Sequence, residues 1–305
     1  MKNILITGGL GYIGSQLATL YLHNKNVKIT VIDKIADPKR IKILNSGGIE
    51  YKNIDILDVE KITPLVKDAD VVFHLAGVTS VPRIKNEESN SLNNEIVTTA
   101  ITGTRNIIEN IKDTSRIIFP STHVVFEGLK DIQLDIEEDY EVCPNLTYAE
   151  SKVQNEIDIS TNCSNYIILR LGSVHGLNTL ITRYNIMVNF FAKAAANKGS
   201  INLHGGGVQL KSLVSIHDVV RCLKFFESDG KISQEIFHCV SENISVKEVA
   251  DLCKSHSEEL EINFTQDEIP NPGYSLSSDK LKKIGFKFEK NVEDSVKDII
   301  HNEGN

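Results

Sequence analysis

The stretch Thr7-Gly8-Gly9-Leu10-Gly11-Tyr12-Ile13-Gly14 leaves this chain few ways to fold. It follows a short apolar run, Ile4–Ile6, that reads as a strand, and it opens a periodic segment that reads as a helix. Glycines at 8, 11 and 14 have the spacing GxxGxxG. Each has a steric reason: a tight turn, close approach of backbone to a bound pyrophosphate, and packing of helix on sheet. The helix N-terminus then offers N–H groups to an anion. Val31-Ile32-Asp33 supplies the second half of the pattern, with Asp33 nineteen residues beyond Gly14. A carboxylate there accepts hydrogen bonds from an adenosine ribose 2′-OH and repels a 2′-phosphate. The two features together predict NAD in preference to NADP, with Lys34 pulling slightly the other way.

Further strand-like runs lie at Lys28–Ile32, Val71–His74, Arg116–Phe119 and Tyr166–Leu169, and helical periodicity marks Ile13–His23, Leu92–Ile111 and Thr147–Thr161. This βαβ order predicts an α/β fold: a Rossmann-type, doubly wound parallel sheet with helices on both faces and right-handed crossovers. Beyond Leu171, glycines at 172, 176, 199 and 205–207 cut the chain into shorter pieces, which predicts a smaller C-terminal substrate-binding domain. Ile236–Val240 reads as a late strand returning to the sheet, and Val246–Glu258 and Val292–Asn302 read as closing helices. The expected boundaries interleave. Residues 1–172 with about 212–243 form the dinucleotide-binding domain, and about 173–211 with 244–305 form the substrate-binding domain.

Charge and composition narrow the partners. The net charge of −8 is dispersed and no basic stripe interleaves with aromatics, so nucleic acid is not an expected partner. Five cysteines without a CxxC pair, and nine histidines without HxH or HxxxH, predict reduced thiols and no metal. No run approaches the roughly 20 apolar residues of a membrane span, and the first apolar run breaks into glycine too early for a signal core. A cytoplasmic protein with no membrane partner is the expectation.

Tyr148-Ala149-Glu150-Ser151-Lys152 puts a phenol and an ammonium four residues apart on one helix face. A nearby cation stabilises tyrosinate and brings its pKa down from about 10 toward the range of an acid/base catalyst. Upstream, Phe119-Pro120-Ser121-Thr122 ends a strand at the carboxyl edge of the sheet, where ligands of such folds bind. Thr122 is the expected partner hydroxyl, so the predicted catalytic set is Thr122, Tyr148 and Lys152. Glu137-Glu138-Asp139 reads as a solvated acidic turn and Cys143 as an inert loop thiol.

These motifs, with Asp55-Ile56 and His74-Leu75-Ala76-Gly77, stand in the order of the extended short-chain dehydrogenase/reductases. The chain resembles their NAD-dependent nucleotide-sugar epimerase/dehydratase branch, to which UDP-glucose 4-epimerase belongs. Arg170-Leu171-Gly172-Ser173-Val174-His175-Gly176 and the stretch from Leu203 to Asp218 extend the likeness over nearly the whole chain. The resemblance implies cofactor contacts from Gly8, Gly11, Tyr12, Ile13, Gly14, Asp33, Lys34, Asp55, Ile56, Leu75, Ala76, Gly77, Ser121, Tyr148 and Lys152. It implies a nucleotide-diphosphate sugar as substrate, with Thr79, Ser80, Thr122, His123, Tyr148, Ser173, Arg183, Asn189 and Lys211 as contacts. Tyr148 would take the proton of a sugar hydroxyl, usually at C4, as hydride passes to NAD. A homodimer through Leu92–Ile111 and Thr147–Thr161 is implied too.

Within that branch the sequence favours 4-epimerisation through a transient 4-keto sugar. Dehydratases carry an acidic pair after the catalytic threonine, whereas His123-Val124 follow Thr122 here, and Thr79-Ser80-Val81-Pro82-Arg83 is similar to a segment of several 4-epimerases. Ser173 and Lys211 stand where the family has asparagine and arginine, and lysine is a point charge, not a bidentate fork. The region Asp267–Ser275 has no second arginine, and Thr99-Ala100 replaces an asparagine common in the family. Thr182–Asn189 resembles a segment of sugar-nucleotide 4-dehydrogenases, which keeps a 4-dehydrogenase or 4-keto reductase as the alternative. A dinucleotide sensor without catalysis would not need the intact Tyr148/Lys152 pair.

Overall fold

A computed structural model of the protein describes residues 1–79, 90–266 and 271–304. The first part of the chain alternates strand and helix: β1 (Lys2–Thr7), α1 (Tyr12–Thr19), β2 (Val27–Asp33), α2 (Pro38–Ser46), β3 (Glu50–Asn53), α3 (Val59–Asp68), β4 (Val71–His74), α4 (Asn90–Ile108) and β5 (Arg116–Thr122). A 3-10 turn at His123–Phe126 leads to β6 (Gln133–Ile136), α5 (Thr147–Asn162) and β7 (Tyr166–Leu171). Shorter pieces follow: β8 (Ser173–His175), α6 (Met187–Ala196), β9 (Ser200–Leu203), β10 (Leu210–Ser215), α7 (Ile216–Ser228) and β11 (Glu235–Cys239). The chain closes with β12 (Glu242–Ser245), α8 (Val246–His256), β13 (Glu261–Phe264), β14 (Tyr274–Leu276), α9 (Asp279–Lys283) and α10 (Val292–Glu303).

Two compact units form, one from residues 1–125, 144–169 and 223–236, the other from 126–143, 170–222 and 237 onward. The first is built on a seven-stranded sheet of order β11-β7-β5-β4-β1-β2-β3. β1 pairs in parallel with β2 and with β4, β2 with β3, and β4 with β5. This is the expected Rossmann-type arrangement, and the five strands expected before Leu171 are all in it. Ile236–Val240 does return to it as β11 at one edge. The inner strands are covered on both faces, so they read as unbroken apolar runs. Leu5, Ile32, Val72, Ile117 and Ile168 pack with Ile62 and Val66 of α3, Ile107 of α4 and Ile159 of α5. Each such burial contributes about 1.5–3 kcal/mol.

β3, the outer strand, leaves no apolar signal in the sequence, since Glu50-Tyr51-Lys52-Asn53 has no fully buried residue. The first helix is also shorter than its periodicity suggests. α1 stops at Thr19, and His23 takes φ 62°, a left-handed turn that sends the chain into β2.

The second unit holds three small sheets, β12-β10-β8, β13-β9 and β14-β6. Its core joins Val188, Phe191 and Ala195 of α6, Val249 and Cys253 of α8, and Val292, Val296 and Ile299 of α10. Capping boxes start α8 at Ser245/Glu248 and α10 at Asn291/Asp294, each satisfying two backbone N–H groups reciprocally. Among the described residues the cysteines are free thiols and no helix is long and apolar enough to cross a membrane.

Candidate active site

The turn after β1 is shaped by what cannot be there. Gly8 sits at φ 65°, and a β-carbon on it would lie 2.7 Å from backbone atoms of Ala76 in the segment after β4. At Gly14 a β-carbon would fall on the Gly8 carbonyl oxygen. Gly11 is the N-cap of α1 in an extended conformation and no side chain caps the helix. Tyr12 and Ile13 start α1 half-buried. Such a bare glycine turn opening on a helix N-terminus is the cradle that a pyrophosphate fits.

Asp33 ends β2 and is 8% exposed. Its two oxygens accept the N–H groups of Leu10 at 2.9 Å and Ile35 at 2.9 Å. A carboxylate has about four acceptor positions, so capacity remains for ribose hydroxyls. Lys34 is tied to Glu95 at 2.8 Å, and that bond, with Asp55 and Asp33 nearby, raises its pKa. Arg40 donates to the Leu10 carbonyl and pairs with Asp37 at 3.4 Å. Both cations at this end of the sheet are thus engaged by carboxylates. Asp55 accepts the Leu57 N–H at 3.0 Å, and Ile56 packs on Gly103 of α4 while its carbonyl accepts Asn106 at 2.9 Å.

Between these loops runs a buried chain of hydrogen bonds. Thr7 Oγ1 accepts the Ala76 N–H at 3.1 Å and bonds His74 Nδ1 at 2.9 Å, and His74 Nε2 bonds Thr104 Oγ1 at 3.0 Å. The Leu75 N–H donates to the Thr7 carbonyl at 3.2 Å. Burial, and then the charge of Lys152, push the His74 pKa down to about 3. His74 is therefore a neutral strut that joins β1, β4 and α4.

α5 presents Tyr148, Lys152 and Glu156 at four-residue intervals on one face. Lys152 Nζ donates to the Pro120 carbonyl at 2.8 Å, lies 4.2 Å from the Phe119 ring centre and 6.0 Å from that of Tyr148. Its pKa falls to about 8 because it is buried, and Glu156 opposes that fall. Ser121 Oγ donates to Glu156 at 2.5 Å, and Thr122 Oγ1 accepts the Val124 N–H at 3.2 Å. Pairing of β5 with β4 ends at Ile118 opposite Phe73, so the Pro120 carbonyl lies beyond that register, where it accepts from the lysine.

A small cavity brings Ala76 and Gly77 together with Tyr148 and Lys152, and adds Val78, Ile96, Ala100, Ser151 and Asn155. Thr122 and His123 are buried at the end of β5 and the start of the 3-10 turn, and neither lines this cavity. Thr79 is exposed, whereas Ser80 and the rest of the Ser-Val-Pro-Arg segment lie outside the described residues, as do residues 267–270.

The remaining candidates belong to the second unit. Ser173 begins β8, opposite Leu213 of β10. Lys211 on β10 faces Glu127 at 3.6 Å, and Arg183 Nε donates to Asn185 at 2.8 Å. Asn189 is fully buried and clamps backbone: its oxygen accepts the Gly176 N–H at 2.8 Å and its nitrogen donates to the Arg183 carbonyl at 2.9 Å. It holds the loop that carries Arg183.

Glu156, Asn155 and the Thr7–His74–Thr104 chain were not anticipated. Glu156 was within reach, since it repeats the four-residue step from Tyr148 to Lys152; the histidine chain links residues too far apart in sequence to be read. Among the described residues no group of three or more His, Cys, Asp or Glu could hold a metal.

Residues 4–237 match the model of the NAD dependent epimerase/dehydratase family. Over 324 aligned residues the chain is 30% identical to a UDP-N-acetyl-alpha-D-glucosaminuronate decarboxylase of Bacillus cytotoxicus, covering 98% of this chain and 97% of that protein. Its fold is similar to that of a UDP-glucose 4-epimerase of Thermotoga maritima solved with UDP-glucose, with a TM-score of 0.84, 21% identity, and coverage of 98% and 97%. A UDP-glucuronic acid 4-epimerase of Bacillus cereus, solved with UDP-glucuronic acid and NAD, gives a TM-score of 0.83 at 21% identity, with 98% of each chain covered.

Proposed function

The chain belongs to the NAD-dependent epimerase/dehydratase family, and on that premise we propose that it is a nucleotide-sugar 4-epimerase that uses NAD. The observation that carries this reading is the cavity in which Tyr148 and Lys152 of α5 meet Ala76 and Gly77, residues of the segment against which the glycine turn is packed. The bare turn at Gly8–Gly14 and the carboxylate of Asp33 fit a dinucleotide without a 2′-phosphate. NAD, when bound, supplies the nicotinamide that takes hydride from the sugar carbon and returns it.

The work of the chain itself is proton handling and orientation. Tyr148 removes the proton of the C4 hydroxyl, Lys152 stabilises its phenolate, and the Thr122 hydroxyl hydrogen-bonds the same sugar oxygen. Glu156 and the Pro120 carbonyl hold the ammonium in place. Around the cofactor we assign Gly11, Tyr12, Ile13, Asp55, Ile56, Leu75 and Ser121 as supporting contacts. We assign the second unit to the nucleotide-diphosphate sugar, with Ser173, Lys211 and Arg183 as contacts and Asn189 setting the Arg183 loop; Thr79, Ser80 and His123 complete the set. Directly after Thr122 stand His123 and Val124 in place of an acidic pair, which speaks against 4,6-dehydration.

A second reading rests on the 30% identity to a decarboxylase of a uronic-acid nucleotide-sugar. Oxidation at C4 by the same groups makes a β-keto acid, which loses carbon dioxide. One assay separates the two. The protein is incubated with UDP-glucose, UDP-N-acetylglucosamine and the corresponding uronic acids, and products are read by NMR. Inversion at C4 without net NADH is expected. Loss of the carboxyl carbon supports the second reading, and net NADH with a 4-keto product makes the enzyme a dehydrogenase. Tyr148→Phe should lower kcat by about 10²–10⁴ while NAD still binds; unchanged turnover would remove Tyr148 from the mechanism.

A further inference from the structure

Asn155 lies in the middle of α5, 2% exposed, and its amide oxygen has no hydrogen-bond partner among the described residues. Buried polar groups in folded proteins are nearly always satisfied, and leaving one bare is costly. The residue follows Tyr148 by seven, Ser151 by four and Lys152 by three, so all four side chains share one helix face, and all four line the same cavity. That cavity measures about 10 Å³, room for one water molecule. From α4 it is walled by Ile96 and Ala100, which offer nothing to an amide. The Ser151 hydroxyl is spent on the Thr147 carbonyl at 2.8 Å. Lys152 gives one of its three protons to Pro120, which leaves it as a donor on this side.

We propose that Asn155 is a positioning residue for Lys152: its amide oxygen holds one water molecule against the ammonium and so helps keep that lysine charged beside Tyr148. This rests on the reading of Tyr148 and Lys152 as the reacting pair. The groups that face the ammonium are Tyr148 and Glu156 on α5, neutral His74 on β4 and the Pro120 carbonyl on β5, and the cavity residues of α4 carry no charge. Burial already lowers the lysine's pKa to about 8, so a lost hydrogen bond would be felt near neutral pH.

The test reads Lys152 directly, without turnover, by NMR of lysine-labelled full-length protein across pH. Asn155→Leu keeps the volume and deletes the acceptor. Its Lys152 pKa should fall by about one pH unit, the worth of one hydrogen bond to a charge, while the affinity for NAD by calorimetry holds. Asn155→Asp restores an acceptor and adds charge, and should move the titration above that of the unmodified protein. An unchanged Lys152 titration in either variant overturns the proposal, as does a high-resolution crystal structure in which the Asn155 amide bonds another residue and no water. If Asn155→Leu does not fold, Asn155→Val, which deletes the same acceptor from a smaller side chain, gives the deciding titration, since the Asp variant raises the lysine's pKa by its charge alone. Failure of every nucleotide-sugar as substrate would defeat the epimerase reading and leave these readouts intact.

Discussion

A lysine ammonium held beside a helix, out of water, costs the folded chain something that the unfolded chain does not incur. For Lys152 the sign follows from its pKa, lowered by burial from 10.5 to about 8. Between those values the unfolded chain binds more protons, so stability rises as pH climbs from 8 to 10.5 and is lost again on the way down. Lys152→Met should therefore stabilise the protein at pH 7 by about 1–3 kcal/mol, measured by urea unfolding, while turnover collapses, and its advantage should vanish by pH 10.5. In the intact enzyme, activity should decline as pH rises through about 8, because the phenolate of Tyr148 loses its cation. A second residue-scale expectation concerns Glu95. Removing its charge by Glu95→Gln releases Lys34 toward an incoming 2′-phosphate. Affinity for NADP should improve roughly three- to fivefold, read by fluorescence titration, less so at high salt, and NAD binding should hardly change. An unaltered NADP affinity would mean that Lys34 does not reach that position. At this scale Gly8, Asp33, Tyr148 and Lys152 were legible because steric need and helical spacing leave marks in sequence. Asn155 was not, since a buried amide oxygen without a partner among the described residues leaves no mark in sequence spacing.

Among the described residues α4 and α5 leave apolar side chains exposed: Val97 is 42% exposed and Ile157 52%. We infer that these two helices meet their copies in a homodimer. Ile157→Asp should convert the dimer to monomer in sedimentation velocity, with the far-ultraviolet circular dichroism unchanged; a protein that is already monomeric before mutation would refute the interface. The same elements show how far local pattern reaches. Helices α4, α5, α8 and α10 and the inner strands were readable, with α5 running Thr147–Asn162 against an expected Thr147–Thr161, whereas α7 at Ile216–Ser228 was not anticipated. α2 and β3 leave little apolar signal, because their surfaces are largely solvated and their periodicity is diluted by charge, whereas α3 is amphipathic but interrupted by Pro64, a residue that reads as a helix breaker. The short strands β8 to β10 escaped for another reason: three to six residues hold too few alternations to declare a period.

At the scale of the molecule, burial lowers the pKa values of His74, His175 and His238 to about 3, 4 and 3, which keeps these three neutral. Their ordinary value is 6.5, so below it the unfolded chain gains protons that the folded one refuses. Stability should fall as pH drops from 6.5 toward 4, each histidine contributing a slope of about 1.4 kcal/mol per pH unit. The urea midpoint measured at successive pH values checks this, and His238→Gln should flatten the fall; an equal slope would assign acid sensitivity elsewhere. The doubly wound parallel sheet could be foreseen because a glycine turn after a first strand implies that winding, whereas the second unit's three small sheets depend on pairings between distant segments. The chain passes between its two units five times, at 125/126, 143/144, 169/170, 222/223 and 236/237. A ribosome making this protein thus cannot release a finished first unit early: its last segment emerges only with residue 236, after most of the polypeptide has been synthesised. The nascent chain must wait, half-assembled, and no simple truncation will yield either half as a free-standing module.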